Sequence, residues 1–304
     1  MRDELTSRDS LVIKIRGALS SLPKLKFVAK PSRKDGIAFL IPVKNEERWI
    51  KPCLLSIIDV ADEIIVVDSS TEDETTEIVS SLAQQYDKVK HIRFYWDGNN
   101  AIALSRHIAL MCTRSKWVFD WEADQIVKTE NLLVWVDRLK HLDKSKYYMI
   151  DLPRLNFSCD LQHLSKPSPL GYQGRIFTWS PQLRYILDQR WNWGQERLAG
   201  DSIWGQRLPP WYALLRWHEP YIYHFNIKSP KRMLERTFWE SYMKNSEGCK
   251  TLEEYTRYRV SKQNMTMEQA QEKVMSGILE NTIPYDKEKY GELPEALQKI
   301  AGNN

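Results

Sequence analysis

The sequence predicts an α/β protein: a mostly parallel, Rossmann-like sheet flanked by helices, followed by a helical C-terminal extension. Two observations carry this. Between Gly36 and about Asn226, short apolar runs alternate with stretches of helical spacing. Strands that alternate with helices pair in parallel through right-handed crossovers, which gives a doubly wound layer. From Ser229 onward the pattern changes to charged, amphipathic helical spacing.

The elements follow in order. Gly36–Val43 is a short apolar run without alternation, as expected of a strand buried on both faces. Glu46–Ala61 has helical spacing. Glu63–Val67 is a second buried strand, ending in Asp68-Ser69-Ser70-Thr71, polar residues suited to cap a helix starting near Glu72. Val89–Tyr95 reads as a third strand, Ala101–Cys112 as a third helix and Trp117–Phe119 as a fourth strand. In the extension, Pro230 suits a first helical turn, and Arg232–Lys244 and Met267–Leu279 are amphipathic. Three regions result: a basic arm over 1–35, a main domain over 36–228 with halves at about 36–125 and 126–228, and the extension over 229–304.

Bulk properties narrow the function classes. The chain has 304 residues, 42% hydrophobic and 28% charged, enough for an ordinary core. A net charge of +4 spread over that length does not by itself indicate nucleic acid. Cys53, Cys112, Cys159 and Cys249 are far apart, which argues against structural zinc and fits a reducing compartment. No apolar run approaches the roughly 18 residues that span a bilayer. Met1-Arg2-Asp3-Glu4 does not begin a secretory signal. A cytoplasmic protein is the expectation. The arm carries Lys14, Arg16, Lys24, Lys26, Lys30, Arg33 and Lys34 without an intervening acid, interleaved with leucine and isoleucine. It reads either as an interfacial helix at the inner face of an anionic membrane or as a solvated arm packed on the main domain.

Candidate chemistry lies at the carboxyl ends of the strands, where open α/β sheets bind ligands. Asp68 can hydrogen-bond a ribose or base, or cap a helix. Glu122 and Asp124 follow the fourth strand, and if that segment is extended, alternate side chains share a face. Two hard oxygen ligands there suit Mg²⁺ or Mn²⁺.

Four motifs in order make the chain resemble family 2 glycosyltransferases of the GT-A fold. They are Pro42-Val43-Lys44-Asn45-Glu46, then Val67-Asp68-Ser69-Ser70-Thr71-Glu72-Asp73-Glu74-Thr75, Leu104-Ser105-Arg106-His107, and Glu122-Ala123-Asp124-Gln125. Beyond them the likeness continues through Arg175-Ile176-Phe177, Gln195-Glu196 and His224. Three positions depart from the family pattern: His107 where Asn is usual, Glu122 for the first Asp of the metal motif, and Gln195 for His.

The resemblance implies an inverting transfer of a sugar from a nucleoside-diphosphate sugar, UDP being the commonest donor, to an acceptor hydroxyl of a glycan, a lipid-linked glycan or another molecule. It implies a divalent metal, Mn²⁺ or Mg²⁺, on Asp124, Glu122 and His224. It places Pro42, Val43, Asn45, Glu46, Asp68, Arg106, Glu122 and Ala123 around the donor. The general base falls at Glu196, with Asp201 second and Glu219 third. The aromatic stretch Trp191–Phe225, above all Leu208–Trp217, reads as an exposed or membrane-touching segment that selects the acceptor, or as core filling. Three rival readings bear on the same residues. A nucleotidyltransferase needs a glycine-rich first loop, which is absent here. A degenerate sugar-nucleotide binding protein has the Glu122 substitution as its only support. A nucleic-acid acceptor has the basic arm.

Overall fold

The structure is a computed structural model and describes residues 14–22, 29–69, 71–95, 101–188, 195–199 and 208–297, with backbone only at 173–175, 187–188 and 195–199. Residues 14–19 form a short helix, α1. The first half then alternates as expected: β1 (Lys34–Val43), α2 (Glu47–Ile57), β2 (Glu63–Ser69), α3 (Thr75–Gln85), β3 (Val89–Phe94), α4 (Ala101–Cys112) and β4 (Ser115–Asp120). β1 pairs in parallel with β2 and with β4, and β2 in parallel with β3.

Burial explains the unbroken apolar runs. Ala38, Phe39, Leu40 and Ile41 of β1 have no exposed surface. Phe39 and Ile41 face one core with Ile50, Cys53, Leu54 and Ile57 of α2 and Val79 and Leu82 of α3. Leu40, Ile65 and Val67 face a second core with Ala109 and Leu110 of α4. Helices on both faces leave no polar side for the strands to show to water.

The second half is mixed. After β5 (Gln125–Ile126) and α5 (Thr129–Lys140) come β6 (Tyr147–Phe157), β7 (His163–Ser165), β8 (Leu170–Thr178), β9 (Arg184–Asp188), β10 (Gln195–Ala199), β11 (Tyr212–Arg216) and β12 (Ile222–Phe225). β8 pairs antiparallel with both β4 and β6, extending the parallel layer. β11 and then β12 pair in parallel with the other edge of β6. β9 and β10 form a separate hairpin that packs against α4. The parallel expectation therefore holds for the core strands, and the sheet as a whole is mixed.

The C-terminal region contains α6 (Pro230–Lys244), α7 (Leu252–Ser261), α8 (Met267–Glu280), β13 (Thr282–Pro284) and α9 (Lys287–Tyr290). Ser229, Thr251 and Thr266 each accept a backbone hydrogen bond at a helix N-terminus, and Gln269 completes a capping box with Thr266. α6, α7 and α8 share a small core of Leu234, Val260 and Ala270. The extension is not purely helical: β13 pairs antiparallel with β7, and Leu297 packs beside Trp49 and Phe157.

Two surface expectations resolve. Trp211 and Tyr212 are buried in the α4-side core, so this part of Leu208–Trp217 fills the interior. The reason is β11, which pairs with β6 and turns the segment inward. Trp191, Trp193 and Trp204 lie outside the described residues. The described parts of the arm are docked on the domain. Arg16 donates to the carbonyls of Leu208 and Pro209, Tyr147 donates to Ala29, and Arg33 donates to Thr113 while its guanidinium lies over Trp179. Among the described residues no helix is long and apolar enough to cross a membrane.

Trp49 joins the two halves: fully buried, it stacks on Phe225 at 5.0 Å and donates its indole N–H to Ile227 at 3.2 Å. Trp49→Ala is expected to cost roughly 3–5 kcal/mol of stability, read from the denaturant midpoint, since it removes both a large buried ring and a buried hydrogen bond.

Candidate active site

The first two motifs prove to be two loops that hold each other. Asn45 adopts a left-handed backbone, φ 54°, a conformation that asparagine tolerates better than most residues. Its side-chain oxygen accepts from Glu72 N–H at 2.8 Å, and its own N–H donates to Thr71 at 3.4 Å. Glu46 N–H donates to Thr75 at 2.8 Å and Glu47 N–H to Asp73 at 3.2 Å. Asn45 thus ties the β1–α2 loop to the β2–α3 loop. Asp73 caps the N-terminus of α3 by accepting from Thr75 N–H at 3.0 Å, whereas the capping expected of Asp68 is not observed. The helix starts three residues later than expected, after this exchange is complete.

Asp68, at the end of β2, is 2% exposed. It accepts from the Thr76 hydroxyl and lies 3.5 Å from His91 Nε2, whose Nδ1 meets the Ser80 hydroxyl at 3.1 Å. Burial alone would raise the Asp68 pKa, but hydrogen bonds from His91, Thr71 and Thr76 outweigh it and hold the carboxyl below its ordinary value. Asp68, Thr71, Glu72, Arg93, Phe94 and Tyr95 line a cavity of about 380 Å³. Pro42 and Val43 lie one strand away, in register with Val67 and Asp68.

Glu122 and Asp124 come together by a different route from strand alternation. Gln125 N–H donates to Glu122 O at 3.0 Å, closing a tight turn over 122–125. The turn is needed because Gln125 and Ile126 must reverse direction to pair as β5 with β12. Ala123 is buried beneath it. In that pairing His224 lies opposite Gln125 on one side and Asn156 on the other, and Phe225 N–H donates to Asp124 O at 2.8 Å. His224 Nε2 lies 3.5 Å from Glu122 Oε2 and 3.6 Å from Asp124 Oδ1. One ligand atom from each of Glu122, Asp124 and His224 lies within 4.8 Å of the others, as a shared cation requires.

Asn156 fixes the imidazole. Its amide nitrogen donates to Ser168 O at 2.8 Å, so the oxygen is the atom facing His224 Nδ1 at 2.9 Å. Nδ1–H then donates, and Nε2 faces the two carboxylates. Only positive charge between them, a proton or a metal ion, makes that arrangement favourable, so the residues present fit a divalent cation.

Cations surround the acids. Arg106 is 3% exposed, paired with Asp120 and 3.3 Å from Glu122, while Arg154 lies 3.6 Å from Glu122. Lys228 bonds both oxygens of Glu46, at 2.6 and 2.7 Å, and Asp124 Oδ2 at 3.1 Å. Burial raises the Glu46 pKa, Lys228 opposes the rise and Asp124 adds to it.

The expected residues are thus unevenly distributed. Glu122, Asp124 and His224 converge, with Arg106 and Glu46 bonded into the same cluster, while Asp68 ends β2, two strands from β4 in the sheet. Asp201 lies outside the described residues, and of Glu196 only the β10 backbone is described. Glu219 is exposed and lines a separate cavity of about 290 Å³ with Arg138 and Tyr290. Sequence reasoning missed Asn156, Arg154 and Lys228. Asn156 and Arg154 carry no local signal, but Lys228 follows His224 by four residues and could have been tested with it.

The sequence profile described as Glycosyl transferase family 2 matches residues 38–207, and the chain belongs to that family. The SPbeta prophage-derived glycosyltransferase SunS of Bacillus subtilis (strain 168) is 32% identical over 95 residues, 30% of this chain but only 20% of the relative. Among solved structures, mannosyltransferase PcManGT from Pyrobaculum calidifontis, in complex with GDP-Man and Mn²⁺, covers 96% of this chain and 91% of its own at 15% identity and TM-score 0.44. S. aureus TarS 1-349 in complex with UDP-GlcNAc covers 73% and 69% at 14% identity and TM-score 0.42.

The lowered Asp68 pKa sets a pH signature. Its ionised form is favoured by folding, so its stabilising contribution is full above the ordinary value of 3.8 and is lost as pH falls through the lower folded pKa. Thermal unfolding across pH 2–6 is expected to show wild type above Asp68→Asn at the upper end, with the gap closing on the acid side of about 3.8.

Proposed function

We propose that this protein is an inverting glycosyltransferase that moves a sugar from a nucleoside-diphosphate sugar, with UDP as the nucleotide, to an acceptor hydroxyl. The observation that carries the reading is the convergence of Glu122, Asp124 and His224 at the strand edge that also ends in Asp68.

Asp68 is the base-recognition residue. A carboxylate held ionised is an acceptor only, and it suits a ring N–H such as uracil offers. Arg93 and Tyr95 share its cavity, a cation and a flat face beside the nucleotide. Pro42 and Val43 border this region, and Asn45 serves by keeping the two loops together. A divalent cation, Mn²⁺ or Mg²⁺, sits on Glu122, Asp124 and His224, a reading supported by the closeness of their ligand atoms. Bound there, it supplies positive charge to the departing diphosphate. Asn156 holds the His224 tautomer. Arg106 acts through Glu122, fixing the longer arm that replaces the aspartate usual in the family.

The general base is Glu196, which occupies the acid position of the family's His-Glu pair. Asp201 is the alternative, and Glu219 is disfavoured by its place in a separate cavity. A base on the face opposite the leaving group gives a single displacement with inversion. A glycan or lipid-linked acceptor fits the expected cytoplasmic setting, and the docked arm favours the packed reading over a membrane anchor. A degenerate binding protein is less consistent with a cluster whose imidazole is held for a cation.

Thermal shift with nucleoside diphosphates tests the donor side. UDP with Mn²⁺ is expected to raise the melting temperature, and the metal-dependent part should vanish in Asp124→Ala and in His224→Ala. A shift indifferent to Mn²⁺ and to both substitutions contradicts the metal assignment. For the base, Glu196→Gln is expected to lower kcat by roughly 10²–10⁴-fold with the UDP shift intact. Near-normal turnover transfers the role to Asp201.

A further inference from the structure

Lys228 has no role in the proposed reaction, yet it is among the most tightly held cations of the described residues. Its position is set from both sides. Ile227 O accepts from the Trp49 indole at 3.2 Å, Ser229 caps α6, and Arg232 of α6 donates to Asn45 O. The side chain is 12% exposed, and its ammonium bonds Glu46 at 2.6 and 2.7 Å and Asp124 Oδ2 at 3.1 Å. Asp124 is thereby divided. Oδ2 belongs to Lys228, and Oδ1 faces His224 at 3.6 Å.

We propose that Lys228 is the residue that couples the divalent ion to the nucleotide. The inference rests on the metal reading above. With Oδ2 engaged, Asp124 offers the ion a single oxygen, and a fixed positive charge stands one carboxylate's width from it. Without nucleotide, that charge opposes ion binding, because like charges this close in a partly buried site repel strongly. With a diphosphate present, the ion and the ammonium both neutralise phosphate oxygens, and the opposition is relieved. Lys228 therefore weakens the ion alone and strengthens the ion–nucleotide pair. The donor and its metal arrive and leave together, and the vacant protein is kept from holding an idle ion. A pin that merely joins the extension to the β1–α2 loop would have neither effect.

The test is Mn²⁺ affinity by calorimetry, with and without saturating UDP, in wild type and Lys228→Met. The variant is expected to bind Mn²⁺ alone several-fold more tightly, while the factor by which UDP improves Mn²⁺ affinity falls about tenfold, within the usual range of coupling between sites. Lys228→Arg, which keeps the charge, is expected to retain most of that factor. If Lys228→Met does not fold, Lys228→Gln, which can still donate to Glu46 but lacks the charge, is measured in its place, with the same loss of coupling expected. Wild-type binding of Mn²⁺ and UDP with an unchanged coupling factor in the folded variant overturns this inference alone. Absence of Mn²⁺ binding in wild type and variant, with or without UDP, overturns the metal reading and this inference with it.

Discussion

The site depends on one four-residue strand, β12. It runs between β5 and β6, antiparallel to the first and parallel to the second. That double pairing forces the turn at Glu122–Gln125, brings His224 over both carboxylates and sets Asn156 beside the imidazole. Aromatic packing holds the strand in place. Phe225 stacks between Trp49 at 5.0 Å and Phe157 at 4.8 Å, so α2 and the later part of the sheet share one core around it. A shift of one residue in β12 would turn His224 to the opposite face and place an apolar side chain against the acids.

Charge is the second constraint. Asp120, Glu122, Asp124 and Glu46 are gathered where little water reaches, and burying unpaired carboxylates is costly. Arg106, Arg154 and Lys228 offset that cost from three directions, each from a different element: α4, β6 and the approach to α6. The balance leaves room for a further cation at His224 Nε2. Ion pairs of this kind contribute little net stability over apolar packing. Their use here is positional: they fix carboxylates that would otherwise rotate or separate.

The sequence is legible where the physics is local. Continuous apolar runs gave β1, β2 and β4 because strands covered on both faces need no alternation, and α4 emerged with the observed bounds. The antiparallel half was less legible, because β8, β11 and β12 owe their pairing to β6, a strand that ordinary periodicity does not single out. Glu122 and Asp124 were readable as neighbours through the family motif, but the assumed extended geometry was wrong, since the turn is dictated by a partner strand about a hundred residues away. Asn45 is expected at the donor, and its side-chain oxygen also ties the two loops together by accepting from Glu72 N–H. Asn156 acts on His224 across a long sequence separation, where spacing carries no signal, whereas Lys228, four residues after His224, was within reach of a local reading. The tryptophans around Trp211 have the composition of a sticky surface, and only their pairing context shows part of that segment to be interior.

The central claim is that Glu122, Asp124 and His224 hold one divalent ion at the donor diphosphate. Crystals grown with Mn²⁺ and UDP, with anomalous data at the manganese edge, address it most directly. The account predicts a single strong peak about 2.0–2.2 Å from one oxygen each of Glu122 and Asp124 and from His224 Nε2, with phosphate oxygens completing the shell. UDP seated against Asp68 with no anomalous peak among these three residues, or a peak held by other side chains, would contradict it.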